Sequence, residues 1–319
     1  MRVKRLLKTV AVTCAVVATA LGAGQLPSLA SVSSNAAATS EQTPDTDRRG
    51  NTQPAEQKWY PTIREEAKGL AGHTVYRPAD MSQFKARSVP VIVWANGACR
   101  NSNLGFMITL TTLANHGFVV VANGAFDQPI TDVATPANPQ LLIDAINWVE
   151  NGRHSSQFRN RLDTSKIGMA GQSCGGVEAL VAADDRRVDS LAAVNTGIPT
   201  GGFQGFPQLE VTGIKAPTLV VNGGPSDVAY QNSIDNYNLL STPVYLAQNP
   251  YAGHSGLWFG IRDGAGNVQM ADQGVKLLTN WFDYTLNGNQ TAKNYFVGEN
   301  CGLCVHPDWK VQSKKGVSD

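Results

Sequence analysis

The stretch Gly171-Gln172-Ser173-Cys174-Gly175 has the spacing Gly-x-Ser-x-Gly. Small residues on both sides of a serine permit the sharp strand-to-helix turn that exposes its hydroxyl for attack on a carbonyl carbon. A phosphate-binding loop is a competing interpretation, but this loop has no lysine to bind phosphate. A purely structural turn is a second alternative. The pattern indicates a nucleophile at Ser173, with Cys174 the weaker candidate because Ser173 occupies the motif position.

A serine hydroxyl becomes a strong nucleophile only when a base takes its proton and an acid orients that base. Of the five histidines, only His254 follows a late apolar run, in the loop PYAGHSGLW. Asp227 follows the apolar run that ends at Val221. The chain order serine, acid, histidine is the one expected for a nucleophile on a strand-to-helix turn. The sequence therefore predicts a triad of Ser173, Asp227 and His254, and the alternative for Asp227 is a helix N-cap.

Attack on a carbonyl leaves negative charge on its oxygen, which two backbone N–H groups usually bind. One donor is expected from the residue after the nucleophile, Cys174. The other is expected from a loop after an early strand, and Asn96-Gly97-Ala98 follows the run VPVIVWA. We therefore predict an oxyanion hole made by the amides of Ala98 and Cys174.

Apolar runs rich in β-branched residues alternate with helical patterns and would position these residues. The predicted strands are 89–95, 118–122, 166–170, 191–195, 217–222 and 243–247. The predicted helices are 104–114, 139–150, the segment after Ser173, 228–240 and 269–286. This alternation predicts an α/β fold, with a mostly parallel central sheet and helices on both faces. Ligands of such sheets bind beyond the carboxyl ends of the strands, where the candidate residues lie.

The chain begins with four basic residues before an apolar run from Thr9 to Leu21, which is typical of a secretory signal peptide. We predict a signal peptide over 1–30, with cleavage as late as 38 an alternative, and Cys14 removed with it. A transmembrane anchor needs about 20 apolar residues, which this run lacks. Residues 39–57 are polar and predict a linker. Residues 58–319 are enough for one large domain.

Removal of residues 1–30 takes away four of the 26 basic residues and none of the 25 acidic ones, which leaves a net charge of −3. Nothing in this balance predicts binding to nucleic acid or an anionic membrane, and no stable membrane anchor is expected. No cofactor and no metal is expected. The sequence is silent on oligomeric state.

Four segments carry a likeness to a known group: RNRLDTSKIGMAGQSCGG, LANHGFVVVAN, IKAPTLVVNGGPSD and GHSGLW. They resemble secreted bacterial α/β-hydrolases of the cutinase, polyester hydrolase and dienelactone hydrolase-like group, over most of 89–254. The resemblance implies the α/β-hydrolase fold, ester hydrolysis through an acyl-enzyme, and no cofactor. It gives Ser173, His254 and Asp227 the triad roles and Ala98 and Cys174 the oxyanion roles.

The sequence departs from this group at three places around the predicted pocket. Polyester hydrolases of the group usually have an aromatic residue at the position of Ala98, a methionine at Cys174, and a tryptophan after the strand that here ends AAVNTGIP. We therefore look to Trp258 and Phe259 as residues that line the pocket from the other side. The alternative for both is packing in the core.

Four cysteines remain after processing: Cys99, Cys174, Cys301 and Cys304. In an oxidising compartment an even number favours disulfides. The two oxyanion loops must approach each other, which brings Cys99 and Cys174 within disulfide reach. We predict that these two pair and that Cys301 pairs with Cys304. A zinc site at Cys301, Cys304 and His306 is the alternative, although no second cysteine pair has ligand spacing.

The sequence thus predicts a secreted serine carboxylic ester hydrolase that acts on a small-molecule or polymeric ester. Amide or peptide hydrolysis uses the same residues and is one alternative. A secreted binding protein with a vestigial triad is the other, because a fold does not determine a function.

Overall fold

The computed structural model describes residues 59–130, 133–152, 155–259, 261–262, 265–266, 268–314 and 316, with only the backbone at 259, 261–262, 265–266 and 268. The predicted signal peptide and linker lie outside these residues, so their boundaries stay predictions.

Nine strands form one mixed sheet in the order β1-β2-β4-β3-β5-β6-β7-β8-β11. The strands are β1 (Thr62–Glu66), β2 (His73–Pro78), β3 (Val89–Ala95), β4 (Val119–Asn123), β5 (Leu162–Gln172), β6 (Ser190–Val194), β7 (Thr218–Asn222), β8 (Val244–Gln248) and β11 (Lys310–Lys314). The pairs from β4 through β3 to β8 are parallel, while β1, β2 and β11 pair antiparallel. A separate short hairpin joins β9 (Ile261–Arg262) to β10 (Ala265–Gly266).

The helices are α1 (Met107–Asn115), α2 (Gln140–Gly152), α3 (Cys174–Ala182), α4 (Tyr230–Leu239), α5 (Gly256–Phe259), α6 (Val268–Asn287) and α7 (Gln290–Lys293). No described helix is both long and apolar enough to cross a membrane.

The central strands are buried on both faces, because alternate side chains of a strand point to opposite sides of the sheet. In β3, Val91 and Val93 pack into one apolar cluster with residues of α2, α3 and α4. Ile92 and Trp94 pack into the other cluster with residues of α1 and α6. Helices therefore cover both faces, and the predicted α/β-hydrolase architecture is confirmed.

Each predicted strand and helix is present; the strand 89–95 has the predicted ends, and the ends of the other elements are shifted by one to a few residues. The prediction missed the three antiparallel strands, which are the edge strands β1 and β11 and the strand β2 beside β1. No residue of β1 or β11 is fully buried, so these strands lack the continuous apolar runs that mark the central strands.

Candidate active site

Ser173 occupies the turn between the end of β5 and the start of α3. Its backbone has φ 57° and ψ −121°, in a region that non-glycine residues rarely adopt. Two hydrogen bonds tie this turn to the segment at the end of β6: the Ser173 amide donates to the Val194 carbonyl at 3.0 Å, and the Thr196 hydroxyl donates to the Ser173 carbonyl at 2.7 Å. Strain of this kind persists where the surroundings enforce it, and it is common at active sites. The turn thus presents the Ser173 side chain at the carboxyl edge of the sheet.

Two glycines of the motif are required because other backbone groups pass close to them. A Cβ at Gly175 would overlap the carbonyl group of Ala95 at the end of β3, and a Cβ at Gly171 would overlap the carbonyl of Gly175. The pattern that singled out Ser173 therefore has a steric cause: α3 starts in direct contact with two strands.

His254 lies between the serine and the acid. Its Nε2 is 2.9 Å from Ser173 Oγ, and its Nδ1 is 2.7 Å from Asp227 Oδ1. A carboxylate can only accept hydrogen bonds, so the proton is on Nδ1 and Nε2 is free to accept from the serine hydroxyl. The three side chains come from loops after β5, β7 and β8, and the structure brings all three together in the order that the sequence predicts.

Asp227 is a buried carboxylate with four donors. Besides His254, the Asn195 side chain and the Gly223 amide donate to Oδ2 at 2.6 and 2.9 Å, and the Ala229 amide donates to Oδ1 at 2.9 Å. Burial acts to raise the pKa of Asp227, but these hydrogen bonds outweigh it and hold the pKa below its ordinary value. The bond from the Ala229 amide closes a turn just before α4, but the N-cap of α4 is Ala229 and no side chain caps it, so Asp227 is not the N-cap of this helix.

Asn195 is a site residue that the sequence reasoning missed. It directly follows β6, adopts φ 45°, and uses one amide group to contact both Asp227 and the carbonyl of Gly253, which precedes His254 in the chain. The only available signal was its position, a polar residue after a buried strand at the carboxyl edge.

Trp258 does not line the pocket beside Ser173, so its predicted place in the pocket wall is wrong. It is 2% exposed, and its indole N–H donates to Asn195 Oδ1. A Trp N–H is only a donor, and a buried one usually has an acceptor. Trp258 therefore packs behind the acid rather than in the pocket, which is the core alternative. The side chain of Phe259, the other predicted lining residue, lies outside the described residues.

The loop after β3 supplies the other predicted oxyanion donor. Ala98 (φ 56°) and Cys99 (φ 50°) are consecutive left-handed residues. The amide of Cys99 donates to the Asn96 carbonyl, whereas within the described residues the amides of Ala98 and Cys174 donate to no other group. Both predicted donors are thus unengaged backbone amides.

A disulfide joins the two predicted oxyanion loops. Cys99 is bonded to Cys174, with a Cα–Cα distance of 5.2 Å. Cys301 is bonded to Cys304 near the end of the chain. Because Cys301 and Cys304 form this disulfide, neither has the free thiolate that the alternative zinc site requires.

A pocket of about 150 Å³ opens beside Ser173 and His254. Its other lining residues are Cys174, Val177, Asn195, Thr196, Gly197, Pro199, Phe203, Val228, Ala229 and Asn232. Phe203 is the single aromatic residue among them, and it comes from the loop after β6. One of the two disulfide-bonded cysteines of the oxyanion loops, Cys174, thus lines the pocket.

Two other histidines contact backbone carbonyl groups away from Ser173. His73 is buried in β2 and contacts the carbonyls of Ala71 and Leu141, and burial lowers its pKa. His116 ends α1, contacts the Thr112 carbonyl and packs against Trp59. His154 lies outside the described residues. Neither His73 nor His116 lines the pocket beside Ser173.

Comparison with known proteins gives the family. A search of curated proteins found no match. A family model described as PET hydrolase-like matches residues 17–287, which is most of the chain. Members of this family are α/β-hydrolases that cleave esters as serine hydrolases, in agreement with the sheet and with the position of Ser173. The chain belongs to the PET hydrolase-like family.

Proposed function

We propose that this protein is a secreted serine carboxylic ester hydrolase with the triad Ser173, His254 and Asp227. The observation that carries the proposal is the continuous set of contacts from Ser173 Oγ through both ring nitrogens of His254 to a buried carboxylate. Without a base within hydrogen-bond distance the strained serine would be a poor nucleophile.

In the first half of the reaction, Ser173 Oγ attacks the ester carbonyl carbon while His254 Nε2 takes the hydroxyl proton. The amides of Ala98 and Cys174 donate to the oxyanion of the tetrahedral intermediate. His254 then returns the proton to the leaving alcohol as the C–O bond breaks, which leaves an acyl group on Ser173. Asp227 stays ionised and stabilises the imidazolium that forms between these steps.

In the second half, water replaces the alcohol. His254 takes a proton from the water, whose oxygen attacks the acyl carbon, and the same two amides bind the oxyanion. Collapse of this intermediate breaks the bond to Ser173 Oγ, which receives the proton from His254. The products are a carboxylic acid, an alcohol and the regenerated enzyme.

The pocket favours esters with a short acyl group. Its volume is small, and Val177, Pro199 and Val228 give it apolar walls. No aromatic side chain stands at 98 and no methionine at 174, so flat aromatic acyl groups lack stacking partners at these two positions. The substrate class is a carboxylic ester, as a small molecule or as the exposed end of a polymer.

Secretion is supported by the leader-like start of the sequence and by the disulfides. A bond such as Cys99–Cys174 forms and persists in oxidising compartments. Mass spectrometry of culture supernatant that detects a chain beginning between residues 31 and 39 would support export. Retention of the full chain inside the cell would contradict it.

The test of the function is turnover of p-nitrophenyl esters of increasing acyl length by the wild type and Ser173→Ala. We expect turnover that is highest for short chains and is lost in the variant. Ser226→Ala is the control, because it removes a hydroxyl near Asp227 that makes none of the triad contacts. A matched anilide series distinguishes amide hydrolysis, and no turnover of any substrate would favour the vestigial binding protein.

A further inference from the structure

The loop that presents the Ala98 amide has each of its carbonyls engaged. The Asn96 carbonyl accepts from the Cys99 amide at 3.0 Å, and the Gly97 carbonyl accepts from the Arg100 amide at 3.3 Å. Because a trans peptide directs its N–H away from its C=O, the bond to the Gly97 carbonyl fixes the direction of the Ala98 N–H. The orientation of this donor is therefore set by contacts to the carbonyls around it.

The remaining two carbonyls of the loop are both bound by one residue from a distant segment. The Thr135 amide donates to the Ala98 carbonyl at 3.2 Å, and the Thr135 hydroxyl donates to the Cys99 carbonyl. Ala98 and Cys99 are the two left-handed residues of the loop, and such a conformation costs about 1–2 kcal/mol per residue. Thr135 thus contacts the loop where its backbone has the strongest tendency to relax.

The segment 133–139, here named the strap, is also attached to helix α3. The backbone N–H of Asn138 donates to Glu178 Oε1 at 2.7 Å. Glu178 lies four residues after Cys174, so the two share one face of α3. The strap therefore connects the Ala98 loop to the helix that begins with the other predicted oxyanion donor.

We propose that Thr135 is a positioning residue of the oxyanion hole, and that the strap holds the Ala98 loop against α3 in parallel with the Cys99–Cys174 disulfide. This inference rests on the proposed function, because it concerns the geometry of the same site. The two connections join the same pair of elements, one by a covalent bond and the other by hydrogen bonds from Thr135 and Asn138. Thr135 does not line the pocket, so it acts on the reaction only through the loop.

Thr135→Val tests the proposal, because it removes the hydroxyl bond and keeps the size and the amide. Complete removal of one oxyanion donor costs about 10²–10³ in kcat. A displaced donor should cost less, so we expect a fall in kcat of about tenfold with KM within about twofold, because ground-state binding does not need the oxyanion geometry. The inhibition constant of a trifluoromethyl ketone, which forms a tetrahedral oxyanion on the serine, should rise by the same factor.

Two matched variants separate positioning from a general structural role. Thr135→Ser keeps the hydroxyl and should restore kcat to near the wild-type value. Thr112→Val removes a threonine hydroxyl that donates to the Ile108 carbonyl on α1, and it should leave both kcat and inhibitor affinity unchanged. Wild-type kcat in Thr135→Val, or an equal loss in Thr135→Ser, would overturn the proposal.

The disulfide provides an independent test that does not depend on the size of the single effect. If both connections hold the same loop, Thr135→Val should reduce kcat by a larger factor in the Cys99→Ala/Cys174→Ala background than in the wild type. In the Cys301→Ala/Cys304→Ala background the factor should match that in the wild type. Equal factors in all three backgrounds would contradict the parallel arrangement. If the wild type hydrolyses no ester, the proposed function is wrong, and the positioning role of the strap is wrong with it.

Discussion

The side-chain amide of Asn195 connects Asp227, the acid of the proposed triad, to the indole of Trp258. Asn195 Nδ2 donates to Asp227 Oδ2 at 2.6 Å and to the Gly253 carbonyl at 3.1 Å, while Oδ1 accepts from the Trp258 N–H. The indole can only donate, and the carboxylate and the carbonyl can only accept, so the three contacts together fix which end of the amide faces Asp227. Trp258 therefore orients a group that holds both the acid and the backbone before His254.

Replacement of Trp258 by Phe should lower kcat about tenfold and leave KM within about twofold. The substitution keeps an aromatic side chain but leaves Asn195 Oδ1 buried without its donor, so the amide is held less firmly against Asp227 and the Gly253 carbonyl. Trp309→Phe is the control: Trp309 is also buried, but its indole N–H has no hydrogen-bond partner in the described part of the chain. Steady-state kinetics of both variants checks the prediction, and equal kinetics would contradict it.

Replacement of Gly175 by Ala should disrupt the turn at Ser173, because the new Cβ would overlap the Ala95 carbonyl. We expect a loss of at least tenfold in kcat together with a lower melting temperature, in the range of overpacked core positions at about 1–3 kcal/mol. Gly152→Ala is the matched control, since nothing lies within 4 Å of a Cβ there. Thermal unfolding and ester turnover measure both effects. A Gly175→Ala protein as stable and active as the control would show that the turn can accommodate a Cβ at this position, and the prediction would be wrong.

The two disulfides should differ in their effect on stability. Cys99 and Cys174 are 75 residues apart in the chain, and Cys301 and Cys304 are three apart. In the chain-entropy account, a longer closed loop restricts the unfolded state more, so loss of Cys99–Cys174 should cost about 4 kcal/mol and loss of Cys301–Cys304 clearly less. Denaturant unfolding of the two double-alanine variants measures this. The reverse order of stabilities would contradict the prediction.

Glu178 should make the stability of the protein depend on pH. Burial raises its pKa to about 7, although Asn138 donates to one oxygen, and Oε2 has no hydrogen-bond partner among the described residues. The unfolded chain has the ordinary pKa near 4.3. Between these values the folded protein keeps a proton that the unfolded chain has lost, so the free energy of unfolding falls as pH rises from about 4.3 to about 7.

Glu178→Gln removes this titration and keeps an acceptor for the Asn138 amide. As pH rises from 5 to 8, the free energy of unfolding of the variant should increase relative to that of the wild type. The increase should be up to about 3 kcal/mol at pH 8. Urea unfolding at both values measures the difference, and Glu66→Gln, at an exposed position of β1, controls for the loss of one negative charge. If the free energies of unfolding of Glu178→Gln and the wild type differed by the same amount at pH 5 and pH 8, the prediction would be wrong.

The central sheet could be predicted from the sequence because its strands are buried on both faces. The run at Val89–Ala95 has the same ends in the sequence prediction and in the structure. The edge strands β1 and β11 could not be predicted, since polar and charged side chains dominate a strand that is exposed on one side. Their pairing depends on long-range contacts that have no local pattern.

The three proposed triad residues could be selected because their chemistry restricts both residue type and chain order. Asn195 and Thr135 could not, because they act through hydrogen bonds to groups distant in sequence: Asn195 contacts Asp227, and Thr135 contacts Ala98 and Cys99. Trp258 shows the other limit. An aromatic residue near His254 fits a pocket and a core equally well in the sequence, and only its buried N–H contact with Asn195 separates the two.

The most direct test of the central claim is covalent labelling of Ser173 by a fluorophosphonate. The mature protein, Ser173→Ala and His254→Ala should be incubated with the probe and examined by intact mass and by peptide mapping. We predict one adduct on Ser173 in the wild type, none in Ser173→Ala, and labelling slowed by several orders of magnitude, on the order of 10⁶ if the triad acts as a unit, in His254→Ala. An unlabelled wild type, or an adduct on another residue, would contradict the account.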